Sequence, residues 1–99
     1  MSYIDVVAEA VEHELPEATR PAHAAETLYR LYALLVLTRG TETTLEDVHD
    51  AWSVWMAEQG EDHESLVPFA DLDRDTQLED RVYMEAIHSV ARNLSLESR

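Results

Sequence analysis

In TLEDVHDAWSVWM, residues 44–56, a histidine and two tryptophans recur every third position as His49, Trp52 and Trp55. On a helix that spacing gathers them on one side. A second histidine and a phenylalanine follow in HESLVPFADL, residues 63–72, as His63 and Phe69, with Asp50, Glu61, Asp62 and Glu64 close by. Two kinds of chemistry use such residues. Indole and phenyl rings can line a groove that anchors a ligand or a partner. Imidazoles with carboxylates can hold a metal or bond to one another. Metal is the weaker reading, because His13, His23, His49, His63 and His88 form no HExxH motif and no pair four residues apart. A half-buried histidine bonded to a carboxylate, and tryptophans packed as core, are the plain structural alternatives.

DLDRDTQLED, residues 71–80, alternates Asp71, Asp73 and Asp75 as a calcium loop would. Its sixth position is Thr76 where the sharp turn needs glycine, and its twelfth is Val82 where a bidentate glutamate is needed. Helix capping within a solvated acidic loop accounts for the pattern. The chain has no cysteine, no G-x-S-x-G turn and no glycine-rich phosphate loop. The sequence therefore predicts no catalytic residues, no metal, no cofactor and no enzyme.

Charge bounds the partners. The 99 residues carry 21 acids and seven bases, all arginine, for a net charge of −14. Residues 42–80 alone hold thirteen acids and the single base Arg74. Direct binding to nucleic acid and to anionic membranes is thus disfavoured. No apolar run approaches the roughly 20 residues that span a bilayer, and the acidic N-terminus does not resemble a secretory signal. These features predict a cytoplasmic protein.

The elements that position these residues are helices. The sequence predicts an all-α, single four-helix domain over 1–99, with its core in about 3–94 and 95–99 as a frayed tail. The first helix starts at Ser2 with Asp5 as capping partner, buries Ile4, Val7, Ala8, Val11 and Leu15, and stops at Pro16. The second runs from about Pro21 to Arg39 and is closed by Gly40; its centre, LYRLYALLVL, is apolar nearly all round and reads as the spine of the core. The third starts at Thr43, with Glu46 completing a capping box, and ends at Gly60. The fourth runs from Asp80 as N-cap to about Leu94, with Tyr83, Ala86, Ile87, Val90, Ala91 and Leu94 buried. Between the last two lies a long ordered loop, about 61–79, with a short helical turn within 74–79. Leu66, Val67, Phe69 and Leu72 are expected to pin that loop to the tryptophan face.

The words EDVHDAW (46–52) and HESLVPF (63–69), with LYALLVLTRG (31–40) before them, carry a resemblance. Over roughly residues 28–91 the chain resembles an uncharacterised small domain family common in actinobacteriophages and their hosts. It is more distantly similar to the RyR repeat of ryanodine receptors, matching at His49, Trp52, His63, Leu66, Pro68, Phe69, Leu72 and Asp80 but lacking that repeat's GW…G insert. The resemblance implies a small helical module of phage or prophage origin without assigned chemistry. The expected function is a non-enzymatic accessory protein whose acidic face binds a host or phage protein, for which charge complementarity favours a basic one. The alternatives are a DNA mimic that occupies a DNA-binding protein, and a module for a nucleotide-like small ligand at His49, Trp52, His63 and Phe69. A homodimer through the near-neutral first and fourth helices is compatible with the charge distribution.

Overall fold

The computed structural model describes residues 2–21, 25–60 and 62–97. Four long helices, α1 (Tyr3–Glu14), α2 (Glu26–Thr38), α3 (Leu45–Glu58) and α5 (Arg81–Glu97), are joined by short 3-10 turns and by one five-residue helix, α4 (Arg74–Leu78). No strand occurs among the described residues, so the fold is all-α.

Local chemistry sets the helix ends. Ser2 accepts the backbone N–H of Asp5, and Asp5 in turn pairs with Arg30 at 2.8 Å, tying α1 to α2. That guanidinium holds the Asp5 carboxyl below the usual range. At α3 the cap is Thr44 with Asp47, one residue later than the expected Thr43 and Glu46. The reason is that Thr43 is already committed: it is buried, its hydroxyl donates to Gly40 O at 2.9 Å, and its carbonyl accepts from His88 Nε2 at 2.8 Å. Gly40 (φ 56°) and Gly60 (φ 73°) occupy the left-handed region that ends α2 and α3, where a side chain would be strained. Helix α5 continues to Glu97, beyond the expected stop near Leu94. The start of α2 is Glu26 rather than Pro21, and residues 22–24 lie outside the described residues.

The core is built by α1, α2, α3 and α5. Val7, Val11 and Leu15 meet Leu28, Tyr32 and Ala33, closed by Val48 and by Ala86, Ile87 and Val90. Helix α2 packs against α1, α3 and α5, as a spine should. It is not covered on every side, however. Leu34 and Leu37 remain about half exposed, because three neighbours in so small a domain cannot enclose a whole helix.

Tyr29 is buried, and its hydroxyl finds no hydrogen-bond partner among the described residues. Leaving a hydroxyl unpaired in an apolar setting costs about 1–3 kcal/mol. Tyr29→Phe keeps the ring and is expected to raise stability by about 1 kcal/mol, read as a higher urea midpoint. A lower midpoint would show that the hydroxyl is satisfied in solution.

Candidate functional site

The segment after α3 folds back along it and creates a cavity. The apolar side chains expected to hold this segment do not enter the core: Val67 is exposed, and Leu66, Phe69 and Leu72 are half-buried. Polar bonds do the holding instead. His49, 3 % exposed, points from α3 into the segment and donates Nε2–H to the Val67 carbonyl at 2.7 Å. Gln77 on α4 donates to the carbonyls of Phe69 and Leu72 at 3.0 and 3.2 Å. Asp73 caps α4 through the Thr76 N–H at 2.8 Å, a bond that also holds its carboxyl below the usual range. Of the alternating aspartates, Asp73 and Asp75 are thus part of a helix start, and Asp71 ends the preceding 3-10 turn. The expected bond from a histidine to a carboxylate is replaced, at His49, by a bond to the backbone.

Aromatic rings are layered around His49. Its imidazole stacks on Trp52 (centroids 5.7 Å, planes at 27°) and touches Phe69 on another side at 6.1 Å. His63 meets Trp52 edge-on at 5.2 Å, and its Nδ1 accepts the Ser65 backbone N–H at 3.0 Å. That bond assigns His63 the Nε2–H tautomer.

The cavity beside this stack has a volume of about 280 Å³. His49, Trp52, Trp55 and His63 line it, so four of the residues singled out from sequence come together. Phe69 does not line it and serves as backing for His49. Asp50, Asp62 and Glu64 are exposed and lie outside its lining, while Glu61 lies outside the described residues. The remaining wall was missed in sequence: Tyr32 from α2, Tyr83 from α5, and Glu79 and Asp80 between α4 and α5. Tyr32 sits in an apolar stretch that reads as core, and Asp80 reads as a helix cap. The only signal for Asp80 was its place in the RyR-like pattern.

Two of the missed groups lack protein partners. Tyr32 is 1 % exposed, yet no hydrogen bond reaches its hydroxyl among the described residues. Asp80 holds the expected N-cap position of α5, its carbonyl accepting the Met84 N–H at 3.0 Å, but its carboxylate accepts no hydrogen bond among the described residues. Burial pushes the Asp80 carboxyl up to about 6; the nearby His49 opposes that rise and Glu79 adds to it. Tyr83 is raised too, by burial and by the charge of Asp80, while its hydroxyl donates to Thr19 O at 2.7 Å. No cluster of three or more His, Asp or Glu side chains suited to a metal ion occurs among the described residues.

Chemically, the cavity combines aromatic walls with two oxygen groups, at Tyr32 and Asp80, that accept no hydrogen bond from a described residue. No arginine lines it among the described residues. No described helix is long and apolar enough to cross a membrane.

The model of one protein family, described as a domain of unknown function (DUF7701), matches residues 2–92. No curated protein and no solved structure matches the chain. The match covers α1 to α4, α5 as far as Arg92, and the whole wall of the cavity, in keeping with the resemblance to an uncharacterised small domain family. The chain belongs to the family of the domain of unknown function DUF7701.

Proposed function

We propose that this domain is a non-enzymatic interaction module that holds a basic segment of a protein partner against α3 and residues 62–80. The observation that carries the reading is the aromatic cavity with its unpartnered Asp80 carboxylate, set in the most acidic part of the chain. Of the acids in residues 42–80, only Asp47 has a salt-bridge partner among the described residues. The exposed carboxylates, Asp50, Asp62 and Glu64 among them, leave an uncompensated negative field. Such a field orients a cationic partner and speeds its encounter, while the half-buried Trp52 and Trp55 supply apolar contact.

Enzymatic use of the site has less support, because the Nε2–H of His49 is already donated to Val67. A nucleotide-like ligand, which the RyR likeness favours, would set its phosphates beside Glu79 and Asp80 with no arginine to receive them. A DNA mimic needs carboxylates arrayed like phosphates, and the aromatic cavity has no part in that arrangement. The likeness of residues 28–91 to actinobacteriophage and actinobacterial domains supports a phage or prophage origin. It also supports action in the host cytoplasm on a host or phage protein.

The test is affinity capture from actinobacterial lysate with wild type and a Trp52→Ala variant of verified fold. A partner with a basic segment should be retained at about 50 mM salt and largely released at about 500 mM, where screening shortens electrostatic reach several-fold. The variant should capture much less of it. Retention that ignores both salt and Trp52 would overturn the reading.

A further inference from the structure

We infer that the cavity is a socket for a single primary ammonium or guanidinium group, the end of one lysine or arginine side chain in the partner's basic segment. The inference rests on the interaction reading above and names what that reading leaves open.

Size is the first argument. At about 280 Å³ the cavity falls just below the range of about 300–1,000 Å³ that holds drug-sized ligands, so it suits one long side chain. Its walls suit the two parts of such a side chain. Leu28, Leu72 and Pro21 offer apolar surface for a methylene arm, and the rings of Trp52, Trp55 and Tyr83 offer π-faces for a cationic head.

The polar groups then select the head. The Asp80 carboxylate and the Tyr32 hydroxyl make no hydrogen bond to another described residue, and although the Tyr32 ring is buried, both groups are open to the cavity. A half-buried ionised carboxylate can only accept, and a hydroxyl that lines the same cavity accepts as well as donates. His49 cannot supply its Nε2–H, which Val67 already takes. A ligand that pairs with both groups therefore brings donors and, for the carboxylate, positive charge. An anion would face Glu79 and Asp80 with no arginine among the described residues of the wall to offset them. A quaternary ammonium would bring charge but no N–H. Ammonium and guanidinium groups bring both.

Desolvation of Asp80, which lifts its carboxyl to about 6, is what an arriving cation would offset. The other titratable groups facing it are His49 on α3, Tyr32 on α2, Tyr83 on α5 and its neighbour Glu79, with His63 across the cavity. Occupancy should hold Asp80 ionised and release a proton when binding is measured near pH 5.5.

The experiment is an NMR titration of the full chain at low salt, following the indole N–H signals of Trp52 and Trp55. The probes are N-acetyl-lysine amide and N-acetyl-arginine amide, with the neutral analogues N-acetyl-citrulline amide and Nε-acetyl-lysine amide as comparisons. At least one cationic probe should give a saturable shift and its neutral analogue none. Asp80→Asn should weaken that binding by about tenfold or more, whereas the equal charge change Glu17→Gln, on the exposed turn after α1, should leave it alone. Tyr32→Phe, which keeps the ring, is the second variant and should weaken it by about threefold or more.

Equal binding of citrulline and arginine probes, or equal weakening by Glu17→Gln and Asp80→Asn, would overturn the socket. So would free agmatine or cadaverine binding where both capped amino acids fail, since the cavity would then belong to a free amine. A partner captured in a salt-sensitive way by wild type and by Asp80→Asn alike would refute the socket and leave the interaction reading standing. Saturable binding of the arginine probe without any captured protein would do the reverse.

Discussion

Replacing His49 with alanine is expected to lower stability by about 3 kcal/mol, the largest single effect foreseen outside the apolar core. Two losses add. The first is the bond from Nε2–H to the Val67 carbonyl, at 2.7 Å. Val67 lies at the surface, so water can reach the vacated carbonyl, and this part should come to about 1 kcal/mol. The second is the ring itself, 3 % exposed and in contact with Trp52 and Phe69. Deleting a buried ring leaves a cavity that neighbours fill only in part, and about 2 kcal/mol is a moderate figure for it. His49→Phe separates the two, since it keeps ring packing and removes the donor; it should cost only about 1 kcal/mol. Urea denaturation of both variants checks the split. Equal losses would assign the whole effect to the hydrogen bond, and losses below about 0.5 kcal/mol in both would show that His49 does not hold the segment.

Asp80→Asn is expected to act in the opposite direction, stabilising the unliganded domain at neutral pH. The Asp80 carboxyl is raised from 3.8 to about 6 by burial, against the influence of His49 and with that of Glu79. In the unfolded chain it ionises near its ordinary value. The favourable contribution of the protonated form is thus complete below about pH 4 and disappears as pH rises through about 6. Above that, the folded state carries a partly desolvated charge. Because the group keeps considerable contact with solvent, the penalty is discounted to about 1 kcal/mol. The variant should therefore exceed wild type by about 1 kcal/mol at pH 7, and the gap should close near pH 3.5. Asp5 and Asp73, whose carboxyls are lowered by bonds to Arg30 and to the Thr76 N–H, pull the overall profile the other way. They are common to both proteins, so the difference isolates Asp80. A variant less stable than wild type at pH 7 would mean that the carboxylate is compensated in the folded state.

Helices and their caps were legible because they depend on neighbours in sequence. Ser2, Gly40 and Gly60 act where periodicity and turn chemistry put them. The one-residue error at α3 has a long-range cause: His88 claims the Thr43 carbonyl from another helix, which no local pattern reveals. The same limit governs the site. His49, Trp52 and Trp55 could be read together because they share one helix face, and His63 because the following loop had to return. Tyr32 and Asp80 each had a sufficient local explanation, as core residue and as cap. Only the packing of α2 against α3 and α5 brings them to one cavity. The HESLVPF word drew attention for its apolar side chains, yet its Val67 contributes a carbonyl, an atom that every residue type possesses.

Between Met56 and Ala86 no described residue is buried. Most of the outer wall of the cavity belongs to that stretch, including Ser65, Leu72, Thr76, Glu79 and Asp80. Detaching it exposes little apolar surface, so the wall can swing away at a fraction of the free energy of global unfolding. Its amide hydrogens should exchange far faster than those of α2, where the core is densest. For a partner held as proposed, the lifetime of the complex would then be set by how often this wall opens. A second contact that steadied residues 63–78 would lengthen that lifetime without touching the cavity at all.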